Sequence, residues 1–231
     1  IKVDPYGIVL YGEAKSLTPS NRKILLSHLG QLVLTEPWFR QYRQEHDNLS
    51  GVICNELVDI VKPIIVADTT HYSFRVLILE ALAEGEYLAE LEDACYQVLE
   101  IPSATYIELR AAITVIAKFP KLDKDRLKSF FDKAVSSESD IRLKADMLSL
   151  FYDKVLFIED YINTLKLATE SKDDLAAGGL WKLEFLPSLA DIPTILDTPL
   201  LKSKDDENSD DRFHDNGYEV SSIYQNLLQR Y

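Results

Sequence analysis

Apolar residues recur three and four positions apart along most of the chain, and this spacing predicts one helix after another. The first clear stripe is Ile24, Leu25, Leu29, Leu32 and Val33, behind the start signal Thr18-Pro19-Ser20. Thr18 can cap there, and Pro19 fits a first turn where its missing donor costs nothing. Glu36-Pro37 closes that helix, and Trp38, Phe39 and Tyr42 form a short aromatic segment before a polar break at 45–48. Ile53, Leu57, Ile60, Val61, Ile64 and Ile65 share the next face, with Pro63 expected to bend or end the helix. Ser73 offers a cap for a helix carrying Phe74, Leu77, Ile78, Ala81 and Leu82, stopping near Gly85. Leu88, Leu91, Cys95, Val98 and Leu99 mark another, ending before Pro102. Ser103 or Ala104 then begins the helix of YIELRAAITVIAKF (Tyr106–Phe119), closed by Pro120. Three more are expected: from Asp123 with Leu127, Phe130, Phe131 and Ala134; from Ser139 or Asp140 through Phe151; and over Phe157–Leu167.

The two ends read differently. At the start, Asp4-Pro5, Gly7 and Gly12 surround Ile8-Val9-Leu10, which suggests a linker or packed loop with a short extended piece. After Glu170 the pattern decays. Residues 171–179 look like a loop, and Leu180–Leu200 is broken into short helical turns by Pro187, Pro193 and Pro199. The run 203–215 is acidic and of low complexity, hence a loop, before helical spacing returns over 218–231. The expected organisation is a linker (1–17), a helical-repeat domain (18–170) and an irregular helical cap (171–231).

An internal repeat sharpens this. SFRVLILEAL from 73, ELRAAITVIA from 108 and DIRLKADMLS from 140 each carry an apolar residue, then Arg, then small or apolar residues. Their arginines, Arg75, Arg110 and Arg142, are 35 and 32 residues apart, with one amphipathic helix in each interval. The expectation is an all-α fold of stacked antiparallel hairpins, a HEAT- or armadillo-like solenoid with a right-handed superhelix. The competing picture is an irregular bundle of helices of similar length. Arginines at one position of such a stack can form a ladder with acids of neighbouring units, such as Glu80, Glu108 or Asp140. Alternatively they line a groove for acidic groups of a partner. Trp38, Phe39 and Tyr42 are either an aromatic anchor for a partner or packing against the first repeat.

Composition narrows function by exclusion. A net charge of −13 argues against a nucleic-acid surface, which needs clustered Lys and Arg. No run of about 18 apolar residues is present to suggest a membrane span. Two cysteines, Cys54 and Cys95, fit a reducing cytoplasmic setting, with a disulfide between them left open. The first residue is Ile1, and the expectation is a piece of a longer or processed protein. Gly178-Gly179 lacks the partners of a phosphate loop. His28, His46, His71 and His214 have no second ligand at metal spacing, and no Glu stands three positions before a His. Asp206, Asn208 and Asp210 are followed by Asp211 where an EF-hand loop needs Gly. Glu90, Glu92 and Asp93 read as a wetted helix face. No catalytic, cofactor or metal residue is therefore assigned.

The Arg-before-small pattern resembles HEAT-type repeats. The wider run, DPYGIVLYG at 4–12, NRKILL at 21–26, LAELED at 88–93 and IELRAA after it, is similar to helical regions of large bacterial NACHT-type NTPases. That resemblance implies a regulatory or target-sensing region of a STAND-like protein in antiviral defence. The Walker lysine of that family has no counterpart here. The function expected is a non-enzymatic scaffold or recognition module for a protein partner or for neighbouring domains of the same polypeptide. The alternatives are a spacer between an NTPase and an effector, and a helical-bundle enzyme with a dispersed site.

Overall fold

The computed structural model describes residues 4–36, 48–133, 138–170, 180, 182–183, 186–198 and 215–230. The described residues are mostly helical and include no strand, so the chain is all-α. They fall into two compact units, residues 1–122 and 123–231.

Unit 1 opens with a helix where an extended piece was expected. Asp4 Oδ1 accepts from the Gly7 amide at 2.8 Å and Pro5 sits in the first turn, so α1 runs Pro5–Leu10. The Asp-Pro pair that read as a loop signal is a helix cap. A 3₁₀ turn, Glu13–Ser16, leads to α2 (Pro19–Thr35), whose cap is Thr18 as the sequence predicts. Leu25, Leu26, Leu29 and Val33 of α2 are buried, whereas Ile24, expected on the same face, is 44% exposed. The segment Asn48–Gly51 returns to α1 and the Glu13–Ser16 turn: the Asn48 amide donates to Val9 O at 3.1 Å, and Gly51 lies at φ +84°. A side chain there would meet the Lys15 backbone at 3.0 Å, so Gly51 is required on both counts.

The centre of unit 1 is a pair of hairpins. A 3₁₀ turn (Asn55–Leu57) leads into α3 (Val58–Val66) and then α4 (Tyr72–Glu84). A second 3₁₀ turn (Ala89–Leu91) leads into α5 (Glu92–Val98) and then α6 (Tyr106–Ile116). Pro63 does not end α3, which continues to Val66. α4 begins at Tyr72, one residue before the predicted cap Ser73, with no side-chain cap bond from His71. α6 is capped by Thr105, not Ser103 or Ala104, in a reciprocal box with Glu108.

Corresponding starts, Asn55 with Ala89, Val58 with Glu92 and Tyr72 with Tyr106, are each 34 residues apart. The repeat unit is thus α3–α4 followed by α5–α6, and its step differs from the 35 of the arginine pattern. Counterparts pack on each other, α4 along α6 and α3 along α5. Arg75 near the start of α4 pairs with Glu108 near the start of α6, while Lys118 just past the end of α6 donates to Ala83 O at the end of α4. Both ends match, so α4 and α6 run parallel.

Unit 2 contains α7 (Lys124–Phe131), α8 (Glu138–Phe151), α9 (Ile158–Glu170), α10 (Ile192–Leu196) and α11 (Asp215–Arg230). Asp123 caps α7 as predicted, accepting from Arg126 N at 3.1 Å. α9 packs on α8 and α11, and α10 on α11. Lys144 of α8 lies 4.1 Å from the Phe131 ring centroid and donates to Phe131 O. Tyr224 of α11 donates to the carbonyls of Ile195 and Thr198 at 2.8 and 2.6 Å, which ties α11 to the end of α10. The expected acidic loop at 203–215 lies outside the described residues except for Asp215, which begins α11.

Candidate functional site

Arg75 is the one predicted arginine that the structure turns inward. Its Nε donates to Ile65 O at 2.9 Å, in the last turn of α3, and its Nη2 to Ala67 O at 2.5 Å, just past the helix end. Its Nη1 pairs with Glu108 Oε1. The second oxygen of Glu108 accepts from the Thr105 amide and hydroxyl, both at 2.8 Å. Side-chain exposure is 3% for Arg75 and 1% for Glu108. Beside this pair, Ser103 Oγ donates to Asp68 across the two interhelical connections.

One guanidinium therefore ties the end of α3 to the starts of α4 and α6, and every oxygen of its carboxylate partner is used. A buried charge pair persists when its remaining hydrogen-bonding capacity is satisfied in this way. With its lone pairs and protons committed inward, the pair has little capacity left for an outside ligand. Its chemistry is structural.

Arg110 and Arg142 are placed differently. Because the structural step is 34, the counterpart of Arg75 is Leu109, and Arg110 is turned to the exposed side of α6. Arg142 is half-buried in α8, in unit 2. The three arginines are not brought together as one surface within unit 1. Trp38, Phe39 and Tyr42 lie outside the described residues.

Unit 1 also contains a concavity that the sequence pattern did not mark. A groove of about 700 Å³ lies between α2, α3 and α4. Its lining includes Leu26 and Leu34 of α2, Ile60 and Ile64 of α3, and Phe74 of α4, with Thr69, Thr70 and His71 at the connection. Gly30 faces Phe74, where any Cβ would come within 2.9 Å of the ring. That approach seats α4 against α2 at one level and leaves the helices open beside it. Leu34 is 68% exposed. His71 Nδ1 is buried yet has no hydrogen-bond partner among the described residues.

One signal in the sequence pointed here. Ile60 and Ile64 belong to an apolar face wider than the buried set Leu57, Val58, Val61 and Ile65 requires. On α2, Lys23, Ser27, Gly30, Gln31 and Leu34 form a second stripe beside the buried one. A mixed stripe with one glycine reads as a solvated face until a neighbouring helix is known.

Both thiols are held toward their protonated form. Cys54 and Cys95 are free. Burial, and then the Glu92 carboxylate, push the Cys95 thiol up to about 12. Burial, and then the hydrogen bond with Glu56, raise Cys54 as well. Among the described residues no three His, Cys, Asp or Glu side chains are grouped to hold a metal ion. No described helix is long and apolar enough to cross a membrane. The chain matches no protein-family model, no curated protein and no solved structure.

Proposed function

We propose that this chain is a non-enzymatic helical-repeat recognition module, built as a HEAT-like stack and acting on a protein partner or a neighbouring domain. The observation that carries the reading is the 34-residue offset of two hairpins whose corresponding helices run parallel in unit 1. Parallel stacking of like helices adds units side by side and leaves long faces uncovered, which is how repeat proteins gain binding surface. The first turns of α4 and α6 support it. Tyr72 is 39% exposed and Ile107 52%, on the same edge of the unit as the buried Arg75–Glu108 pair. Exposed large apolar side chains over a rigid, fully bonded support make a preorganised contact surface.

The resemblance to helical regions of bacterial NACHT-type NTPases extends this reading. On that basis the chain is a target-sensing segment of a larger cytoplasmic defence protein. That extension rests on the resemblance alone.

The test is capture of a binding partner by the whole chain from an extract of its own cells, repeated with Tyr72→Glu and Ile107→Glu together. Loss of the partner with an unchanged melting temperature supports recognition through this edge. Equal capture by both proteins removes this edge and moves recognition to another face, whereas capture by neither removes the recognition reading and leaves the spacer alternative.

A further inference from the structure

We propose that the groove between α2, α3 and α4 seats an amphipathic helix of about three turns, presented by a partner protein and carrying acidic residues along one flank. This deepens the recognition reading above by naming a second surface and the chemistry it takes.

The dimensions come first. The open stripe of α2 runs from Lys23 to Leu34. Eleven residues of helical rise span about 16 Å, the length of three turns of a partner helix. The floor is apolar along that length, with Leu26 at one level, Ile64 opposite, and Leu34 uncovered at the end. A long, open, apolar trough suits a helix laid in it through anchors at i, i+4 and i+7. An enclosed cavity would favour a small molecule instead.

Charge selects the kind of helix. The chain has 38 acidic against 25 basic residues. Yet the described lining of this groove contains the cation Lys23 and no carboxylate. A partner with a basic flank would meet no counter-charge there, whereas an acidic flank meets Lys23. The third observation is His71. Its ring lines the groove at the α3–α4 connection, where it adds a neutral polar edge and no negative charge to repel an acidic flank.

The experiment uses the full chain and three stapled 14-residue helical peptides, since an unconstrained helix of that length is marginal in water. One carries a leucine stripe with a glutamate flank. The second replaces the glutamates by lysines, and the third scrambles the leucines. Fluorescence anisotropy of the labelled peptides measures binding to the native chain, to Leu34→Glu and to Lys23→Glu. Both positions are exposed, so neither substitution should disturb folding.

The glutamate peptide is expected to bind, and Leu34→Glu to weaken it by about tenfold or more. Lys23→Glu should weaken the glutamate peptide and improve the lysine peptide. Absence of binding, equal binding of the scrambled peptide, or indifference to the charge swap overturns the proposal. If the peptides fail while the Tyr72 and Ile107 changes still abolish partner capture, the groove falls and the recognition reading stands.

Discussion

The two units hold their charges in opposite ways. In unit 1 the Arg75–Glu108 pair is almost wholly out of water, and every bond it makes ends on backbone or on a helix cap. In unit 2 the lysine ends remain wet. Lys182 is 22% exposed against 6% for Asp146, and Lys128 is 41% exposed against 11% for Asp160. Lys128 is further shared with Asp132. A wet lysine that loses its carboxylate turns back to solvent, whereas a buried guanidinium has nowhere to go. Ion pairs in the two units therefore differ widely in their sensitivity to mutation.

The largest test of this contrast is Glu108→Ala. It strands Arg75 in the core and should cost about 3–5 kcal/mol, read as lost hydrogen-exchange protection across α3 to α6 with unit 2 unaffected. Replacing both partners, Arg75→Met with Glu108→Leu, should recover most of that loss. A double variant as unstable as the single one would show that the pair itself, and not the stranded charge, supports the hairpins. Asp146→Ala in unit 2 is the matched control. Because Lys182 reaches water, the expected cost is about 1–2 kcal/mol in urea unfolding. A loss as large as that of Glu108→Ala would erase the distinction between the units.

Alkaline pH gives a smaller effect that reaches both units, since the Cys95 thiol of unit 1 is also raised to about 12. In unit 2, burial raises the Tyr224 hydroxyl to about 12, and burial with the bond to Asp191 raises Tyr152 further. A folded pKa above the unfolded value of about 10 means that the folded state holds its proton longer. The associated stability is complete below pH 10 and is lost as pH rises through about 12. Unit 2 should therefore weaken across pH 10–12, and Tyr152→Phe with Tyr224→Phe should flatten that decline in a scan of unfolding midpoints. An unchanged slope would refute the assignment.

The smallest effect to measure is thiol labelling. Half-buried Cys54 should react with a thiol reagent at pH 8 in the native protein, and buried Cys95 only when unit 1 opens. Glu108→Ala should speed the second labelling event, while Asp146→Ala leaves it alone. This links the chemistry of one residue to the stability of the hairpins around it.

Much of the local structure was legible in the sequence. The stripes of α2, α6 and α9, the Thr18 and Asp123 caps and the end of α4 near Gly85 follow from spacing and capping chemistry within a few residues. α1 was missed because Asp-Pro marks both turns and helix starts, and only six residues follow to tell them apart. The arginine pattern was half informative. It led to Arg75 and named Glu108 among its acids, but it aligned the helices one residue out of the structural step. One residue turns a helical side chain by about 100°. That is the difference between the buried Arg75 and the exposed Arg110.

What the sequence determined by itself is the all-α class, because three-to-four-residue spacing and end caps are local properties written in consecutive residues. Tertiary structure alone decided the 34-residue pairing, the inward turn of Arg75 and the groove beside Gly30. Each of these depends on which helix lies next to which. Gly30 and Phe74 are far apart in the chain, and nothing in either residue announces the other until packing brings a ring onto a missing Cβ.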